Sequence, residues 1–294
     1  MRSAQVWVAG EALIDLLPSE AGPNPVVGGG PANTAKALAN LGLPVAFVGG
    51  ISSDGYGDLI EAELEKYGVD LALARKSSLP TAIAKVSLDE NGSATYEFKL
   101  EGTATFDFGS WLPEGKPAVL HVGTLATIVE PGASALFEWA KRLSVPIVFD
   151  PNIRTSVLSD REKYRSYFEK WVGISKVVKL SDADLKWLEY SIEEILKLGA
   201  FLVVLTKGDA GISGHLEGEV IDVPAVKVTI VDTVGAGDTV GAIVVEALAK
   251  NPELSGETLK RVLERAATAA AITCSRAGAK PPTRSELTQT VGGG

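Results

Sequence analysis

The chain has 294 residues, of which 46% are hydrophobic, and it carries a formal net charge of −9. That length and apolar content suffice for one large core or two modest ones. The acidic balance argues against nucleic-acid and anionic-membrane partners, which need a basic face. The single cysteine, Cys274, excludes an internal disulfide framework and fits a reducing compartment. No apolar run approaches the ~18 residues of a membrane span, so we expect a cytoplasmic protein.

Short β-branched runs alternate with helical patterns along most of the chain. The predicted strands are residues 6–9, 45–49, 119–122, 147–150, 176–180 and 201–206. The predicted helices are residues 34–41, 59–67, 133–143, 161–171, 236–249 and 257–274. Several of the strands are apolar almost throughout, which is typical of a parallel sheet covered on both faces. The alternation predicts an α/β layered fold with a mostly parallel sheet.

Two segments depart from this alternation. Residues 81–100 have a hairpin pattern with a turn signal at 89–92, and residues 11–17 extend the first strand with alternating polarity. We expect a small antiparallel sheet, built from about 11–30 and 81–108, that projects from the main sheet as a lid. Because no Pro/Ser-rich linker separates these segments from the rest, we predict a single domain over residues 1–294 with the lid interleaved in it.

One sequence run, Asp-Thr-Val-Gly-Ala-Gly-Asp at residues 232–238, directly precedes a long amphipathic helix. Gly235 and Gly237 allow a tight turn with its N–H groups aimed into one concavity, and the helix start adds a positive dipole end. This pattern predicts an anion hole. Asp238 then sits in the first helical turn, where a carboxylate is of use as an acceptor for the proton of an attacking hydroxyl. The alternative is a plain turn with Asp238 as a helix-start residue.

A second glycine-rich run, at residues 28–35, opens the first predicted helix. Its glycines allow a ligand to approach the backbone, and Asn33 offers both a donor and an acceptor to sugar hydroxyls. Asn33 as a helix N-cap is the alternative interpretation. Asp15 follows an apolar run near the amino terminus, so it either grips ligand hydroxyls or is a solvated strand end.

Polar residues also follow three later strands, at the edge where ligands of open α/β sheets collect. Arg154 is placed either to meet a transferring phosphate or to form a surface ion pair. The runs 179–184 and 204–211 supply hydroxyls, a carboxylate and glycines for a nucleotide, and Ser181 also fits an N-cap.

Residues 6–282 together resemble the ribokinase-like sugar kinases of the PfkB family. Residues 29–33 (Gly-Gly-Pro-Ala-Asn) are similar to the family's amino-terminal signature, and residues 232–238 to its carboxyl-terminal signature. The resemblance implies a doubly wound, mostly parallel α/β sheet with helices on both faces and a small β-sheet lid. It also implies transfer of phosphate from ATP, with Mg²⁺, to a hydroxyl of a small sugar.

The same resemblance implies roles for individual residues. Asp238 would be the catalytic base, beside an anion hole and phosphate neighbours at Gly235, Ala236, Gly237 and Arg154. The sugar would be bound by Asp15, Gly29, Gly30 and Asn33. The nucleotide site would be formed by Lys179, Ser181, Thr206, Gly208 and Gly211.

Two metal sites follow from the resemblance as well. The family's magnesium-linked Asn-x-x-Glu motif corresponds to Ser-Asp-Ala-Asp at residues 181–184, which assigns magnesium to Asp184 across a departure from the motif. A monovalent cation such as K⁺ would be held by Asp232 and by carbonyls near residues 275–279.

Within the family, residues 10–15, 123–126, 150–154 and 179–181 are most similar to fructokinases. Kinases for ribose, 2-keto-3-deoxygluconate or nucleosides share the scaffold and stay open as alternatives, with Lys99 as the candidate cation for a sugar acid. A non-catalytic sugar or nucleotide sensor is a further alternative, against which the intact Asp238 and its Gly-Ala-Gly turn argue. The oligomeric state is left open, a homodimer included.

Overall fold

The computed structural model describes residues 6–19, 22–88 and 94–291. Its strands in chain order are β1 (Val6–Ala9), β2 (Leu13–Leu17), β3 (Asn24–Gly28), β4 (Val45–Val48), β5 (Gly50–Ser52), β6 (Arg75–Ser77), β7 (Ile83–Leu88), β8 (Ala94–Lys99), β9 (Val119–Gly123), β10 (Ile147–Asp150), β11 (Val177–Ser181), β12 (Leu202–Thr206), β13 (Ile212–Leu216) and β14 (Glu219–Val223). Its helices are α1 (Gly30–Asn40), α2 (Gly55–Lys66), α3 (Gly132–Leu143), α4 (Arg161–Val172), α5 (Asp182–Leu188), α6 (Ile192–Lys197), α7 (Ala236–Lys250), α8 (Gly256–Cys274) and α9 (Arg284–Val291).

The central sheet has eight strands in the order β14-β13-β12-β11-β10-β9-β1-β4. The six strands from β4 to β12 in that order run parallel, and β13 and β14 continue the sheet antiparallel. This matches the predicted mostly parallel sheet, and the predicted strands fall on β1, β4, β9, β10, β11 and β12 with ends shifted by at most one residue.

Alternate residues of the strands enter two separate cores, one on each face of the sheet. In β1, Val6 and Val8 pack into the core beneath α1, α7 and α8, whereas Trp7 and Ala9 pack into the core beneath α3 and α4. Trp7 stacks on Trp139 of α3 with ring centroids 6.2 Å apart. Helices therefore cover both faces, which confirms the doubly wound architecture and explains why the strands are apolar throughout.

Several helices begin where the sequence supplies a capping side chain. Asp54 accepts a hydrogen bond from the Gly57 amide at the start of α2, and Asp160 accepts one from the Lys163 amide at the start of α4. Ser181 forms a reciprocal capping box with Asp184 at the start of α5. Such caps satisfy amides that the helix itself leaves without partners. None of the helices among the described residues is both long and apolar enough to cross a membrane.

A second, four-stranded sheet projects from the carboxyl side of the main one, in the order β3-β2-β7-β8. Its outer ladders, β2–β3 and β7–β8, are antiparallel, and its central ladder, β2–β7, is parallel. Residues 11–17 were expected in this small sheet, and β2 lies there: β1 ends at Ala9, and the chain turns at Gly10 (φ +150°) into the second sheet instead of continuing β1. The predicted hairpin turn at 89–92 lies outside the described residues.

Candidate active site

A cavity of about 600 Å³ lies between the small sheet and the carboxyl edge of the main sheet. Residues that are far apart in sequence line it, because parallel strands all end at this edge. The predicted site residues that line it are Asp15, Gly29, Gly30, Asn33, Arg154, Lys179, Asp232, Gly235, Gly237 and Asp238.

The amino terminus of α7 opens into this cavity. Gly235 is its N-cap and has φ +80°, a left-handed conformation that glycine adopts without steric cost. The first-turn amides of a helix have no partner within it, so those of Gly237 and Asp238 favour a bound anion at the positive end of the helix dipole. The Ala236 amide is already engaged: it donates a 3.3 Å hydrogen bond to the Thr233 carbonyl.

The Asp238 carboxylate is held inside the cavity wall by a partner from the amino-terminal helix. Asp238 is only 8% exposed, and the Asn33 side-chain amide donates a 2.9 Å hydrogen bond to its Oδ2. Burial raises the pKa of Asp238, while Lys179 and the bond from Asn33 oppose that rise. The Asn33 side chain thus contacts the carboxylate and is no N-cap, since Gly29 occupies that position of α1. A buried, oriented carboxylate with a raised pKa is suited to accepting a proton.

A buried ion pair, Lys179–Asp150, lies next to the glycine turn at the start of α7. Lys179 Nζ is 2.9 Å from Asp150 Oδ2, and both side chains are at most 5% exposed. Burial raises the pKa of Asp150 to about 6 against the influence of Lys179. Burial lowers the pKa of Lys179, but the carboxylates of Asp150, Asp238 and Asp184 together raise it above its usual value. The pair is therefore charged at neutral pH. A Cβ atom at Gly237 would come 2.9 Å from Lys179 Nζ, so the ammonium sits directly against the helix start.

Asp15 lies across the cavity from α7, on β2 of the small sheet. Its side chain is half-buried and packs against Gly28 of β3, where an added Cβ atom would overlap the carboxylate. Burial raises the pKa of Asp15 to about 6, opposed by the positive charges of Arg154 and Lys36. At neutral pH this carboxylate is ionised, and it faces a cavity in which two cations lie.

Gly30 is the point where the two sides of the cavity meet. A Cβ atom there would lie 2.5 Å from Thr124 Oγ1 and 3.4 Å from both Asn152 Nδ2 and Asp238 Oδ1. Gly29, just before it, has φ +106° and an added Cβ atom would come 2.6 Å from the Glu11 carbonyl oxygen. The glycine run therefore keeps side chains out of the space between these polar groups.

The Arg154 guanidinium lies at the rim of the cavity. Its Nη1 donates hydrogen bonds to the carbonyls of Asn152 (3.2 Å) and Ile153 (3.1 Å), so the side chain is folded over its own loop. From that position its charge lowers the pKa values of Asp15 and Asp238. No carboxylate partner is recorded for it among the described residues, so the surface ion pair considered above is not formed there.

The remaining predicted nucleotide residues lie on the neighbouring strand ends rather than in this cavity. Ser181 and Thr206 are paired across β11 and β12 at the same edge. Gly208, with φ +56°, has open space where a Cβ atom would be, whereas a Cβ atom at Gly211 would overlap the Val223 carbonyl. Gly211 is thus required by packing onto the segment after β14, and Gly208 by its backbone conformation.

The two carboxylates predicted to hold metal ions are both engaged with the backbone. Asp184 Oδ2 accepts hydrogen bonds from the Ser181 amide and hydroxyl, and its Oδ1 accepts one from the Ile153 amide at 2.8 Å. Asp232 accepts one from Val234 and one from Gly278. The described part of the chain contains no group of three or more acidic, His or Cys side chains placed to hold a metal. The magnesium role of Asp184 and the monovalent-cation role of Asp232 stay predictions.

Four cavity residues were given no individual role by sequence reasoning. Glu11, Thr124 and Asn152 line the cavity, and Asp150 pairs with Lys179 at its wall. Each one lies within or next to a run that the sequence had marked. The distinguishing signal is structural: Thr124 and Asn152 have positive φ values of 56° and 38°, which non-glycine residues seldom adopt.

Residues 4–286 match the pfkB family of carbohydrate kinases. The chain belongs to this family. Among characterised relatives, it is 37% identical over 263 residues to a fructokinase of Rhizobium leguminosarum bv. trifolii, covering 83% of this chain and 79% of that protein. It is 32% identical over 269 residues to a fructokinase of Klebsiella pneumoniae, covering 84% and 85% of the two chains. This pfkB-family chain is therefore a carbohydrate kinase, as its sequence signatures predicted.

Solved structures of the pfkB family have the same architecture. A fructokinase from Vibrio cholerae O395 with fructose, ADP and calcium superposes with a TM-score of 0.86 at 28% identity, over 98% of both chains. A fructokinase from Xylella fastidiosa with ATP superposes with a TM-score of 0.88 at 25% identity, over 99% of this chain and 98% of that one. The predicted resemblance and fold are both confirmed.

Proposed function

We propose that this kinase transfers the γ-phosphate of ATP to a hydroxyl of D-fructose. The observation that carries the proposal is the Asp238 carboxylate, buried beside the positive end of α7 and oriented by Asn33 inside a polar cavity. Fructokinases are also the relatives with which the chain shares most of its length. Both lines of support point to a phosphate acceptor that loses a proton as it attacks.

In the proposed reaction, the sugar hydroxyl lies beside the Asp238 carboxylate and faces the γ-phosphate, which is held at the start of α7. Its oxygen bonds to the γ-phosphorus, the bond from that phosphorus to the bridging oxygen of ADP breaks, and the hydroxyl proton passes to Asp238. Amides at the start of α7 and the Lys179 ammonium stabilise the negative charge on the transferring group. Arg154, at the rim, adds a second positive charge to the same space.

Bound nucleotide brings its own metal ion in this chemistry. Magnesium keeps most of its coordination on phosphate oxygens and water, with one or two carboxylates at most, and it would neutralise charge on the β- and γ-phosphates. We infer that Asp184 is not a direct magnesium ligand. Its oxygens accept three hydrogen bonds, one of them from the Ile153 amide, so its role is to hold the loop at Ile153 in place. A monovalent cation near Asp232 stays a proposal, supported by a related fructokinase from Vibrio cholerae that binds potassium.

The sugar side of the cavity supports a neutral polyol. Asp15 supplies a carboxylate acceptor, and the cations Arg154 and Lys179 line the same cavity. Lys99, the candidate partner for a sugar acid, lines a neighbouring cavity instead. A carboxylate-bearing sugar would meet the like charge of Asp15, which disfavours 2-keto-3-deoxygluconate.

A coupled ADP-release assay over fructose, ribose, glucose and 2-keto-3-deoxygluconate tests the proposal. We expect the highest kcat/KM with D-fructose. A preference for another sugar of the panel would overturn the choice of fructose and leave the carbohydrate kinase assignment intact. No turnover with any of the sugars would overturn the proposed function.

The expectations about the lid, the nucleotide residues, the location and the oligomeric state also stay proposals. The small sheet is proposed as a lid, because one face of the cavity is built from β2, β3 and β8. The strand ends at Ser181, Thr206, Gly208 and Gly211 are proposed to hold the nucleotide, because they adjoin the phosphate side of the cavity along the same sheet edge. A cytoplasmic location rests on the single cysteine, and a homodimer stays open.

A further inference from the structure

The turn after β9 has an unusual conformation at the edge of the cavity. Thr124 begins a short helical turn (Thr124–Thr127) with φ +56°, although a β-branched residue is a true outlier in the left-handed region. Its side chain is 5% exposed and lines the cavity. Strain of this kind persists where surrounding contacts over-determine it, and it clusters at ligand-binding sites.

The hydroxyl of Thr124 faces the same small space beside Gly30 as the side chains of Asp238 and Asn152. It lies 2.5 Å from where a Gly30 Cβ atom would be, a point that is also 3.4 Å from Asp238 Oδ1 and from Asn152 Nδ2. Within the described part of the chain, the Thr124 hydroxyl forms no hydrogen bond. A hydroxyl, a carboxylate and an amide thus converge on one small volume, as a carbinol group of a sugar requires.

Glu11 holds this turn from beneath. It lies in the crossover between β1 and β2, is 0% exposed, and accepts a 3.0 Å hydrogen bond at Oε2 from the Ala126 amide. A second bond closes the turn internally, from the Thr127 hydroxyl to the Thr124 carbonyl at 2.7 Å. Glu11 Oε1 is buried and, within the described part of the chain, has no hydrogen-bond partner. The crossover thereby ties the conformation of the turn to the end of β1.

The Glu11 carboxyl group is fully buried, which favours its neutral form. Burial raises the pKa of Glu11 to about 8, opposed by three backbone amides and by the positive charge of Arg154. A neutral carboxyl offers an acceptor oxygen and an O–H donor, and a glutamine side chain likewise offers an acceptor oxygen and an N–H donor group. Glutamine is therefore the matched replacement at this position.

We propose that Thr124 is a further sugar-contacting residue of this kinase and that Glu11 is the positioning residue that holds the Thr124 turn against Gly30. The inference rests on the proposed function, because it names how the same cavity recognises its sugar. Thr124 donates to or accepts from a sugar hydroxyl next to the one that Asp238 deprotonates. Glu11 touches no substrate and acts through the Ala126 amide.

Steady-state kinetics of Thr124 variants test the contact. Thr124→Val keeps the shape and the β-branch but removes the hydroxyl, so kcat/KM for the sugar should fall about tenfold, the size of one lost hydrogen bond. The KM for ATP should stay within about twofold. Thr124→Ser, which retains the hydroxyl, should recover most of the loss. An unchanged sugar kcat/KM in Thr124→Val, or equal losses for sugar and ATP, would overturn the contact.

Glu11 variants test the positioning role. Glu11→Gln should retain most of the sugar kcat/KM, whereas Glu11→Met, of similar size but without either oxygen, should lose about tenfold for the sugar alone. If Glu11 acts through Thr124, the double variant Glu11→Met/Thr124→Val should be no worse than the poorer single variant. Additive losses in the double variant would overturn the coupling.

The controls separate this inference from the proposed function. Wild-type protein is assayed first with the whole sugar panel, and the variants are compared with its best substrate, whichever sugar that is. Absence of wild-type turnover counts against the proposed function, and variant ratios count for or against the inference. Should Glu11→Met not fold in a thermal melt, the Thr124→Val and Thr124→Ser pair alone decides the sugar contact.

Discussion

The two ends of the sheet edge are built in opposite ways. At the α7 end, Asp238, Asn33 and the Lys179–Asp150 pair are almost fully buried and bonded to partners far away in sequence. At the β12 end, Gly208 is exposed, and an added Cβ atom there would meet only open space. The first end is thus packed and hydrogen-bonded, whereas the second is open to solvent.

This difference follows from what each end has to do. Charge that develops during phosphoryl transfer is stabilised best by dipoles that are already oriented in a water-poor site. On the proposed function, the exposed end holds the base and ribose of the nucleotide, which would need only a surface to rest on. We therefore expect substitutions at the buried end to affect turnover. Substitutions at Asp15 and Gly30, in the proposed sugar-binding part of the cavity, should affect sugar affinity.

The largest effect is expected from Asp238→Asn. The substitution keeps the shape of the helix start but removes the proton acceptor, and losing a general base costs on the order of 10²–10⁴ in rate. We expect kcat to fall at least about 100-fold, while calorimetry shows ATP binding retained. Turnover within about tenfold of wild type, in a variant with an unchanged thermal melt, would refute the base role of Asp238.

A smaller effect is expected at Asp15, on β2 of the small sheet. Asp15→Ala removes charge-assisted hydrogen bonds, each worth roughly 1.5–3 kcal/mol, so kcat/KM for the sugar should fall at least about tenfold with little change in KM for ATP. In the wild type, the pKa of Asp15 is about 6. Protonation should therefore raise the sugar KM as pH falls through about 6, and Asp15→Ala should lack this dependence. Equal losses for both substrates would assign Asp15 a structural role.

The smallest effect is expected at Gly30. An alanine Cβ atom there would meet Thr124 Oγ1 at 2.5 Å, and overpacking of this kind costs about 1–3 kcal/mol. We expect the sugar KM to rise at least about fivefold. Gly55→Ala is the matched control, because nothing lies within 4 Å of its added Cβ atom. If both variants behave like wild type in the sugar titration, the space above Gly30 is not where the sugar binds.

The parallel part of the main sheet and its larger helices could be predicted from the sequence, because these elements are marked by local patterns. The smaller elements β5, β6, β13, β14, α6 and α9 were not predicted. Residues 11–17 were correctly predicted as a strand of the small sheet. Their continuity with β1 is broken at Gly10, whose φ of +150° turns the chain out of the main sheet. Periodicity identifies a strand and says nothing about its partner strand.

The site residues divide in the same way, into those marked by a local sequence pattern and those placed by tertiary contacts. The sequence by itself determined the Gly-Ala-Gly turn and Asp238 in the first turn of a helix, since glycine conformation and helix starts depend on neighbouring residues. Only the tertiary structure decided that Asn33 reaches Asp238 across 205 positions, that Lys179 pairs with Asp150 behind Gly237, and that Glu11 holds the Thr124 turn. Each of these contacts gains its strength from burial, and burial depends on how distant segments pack together.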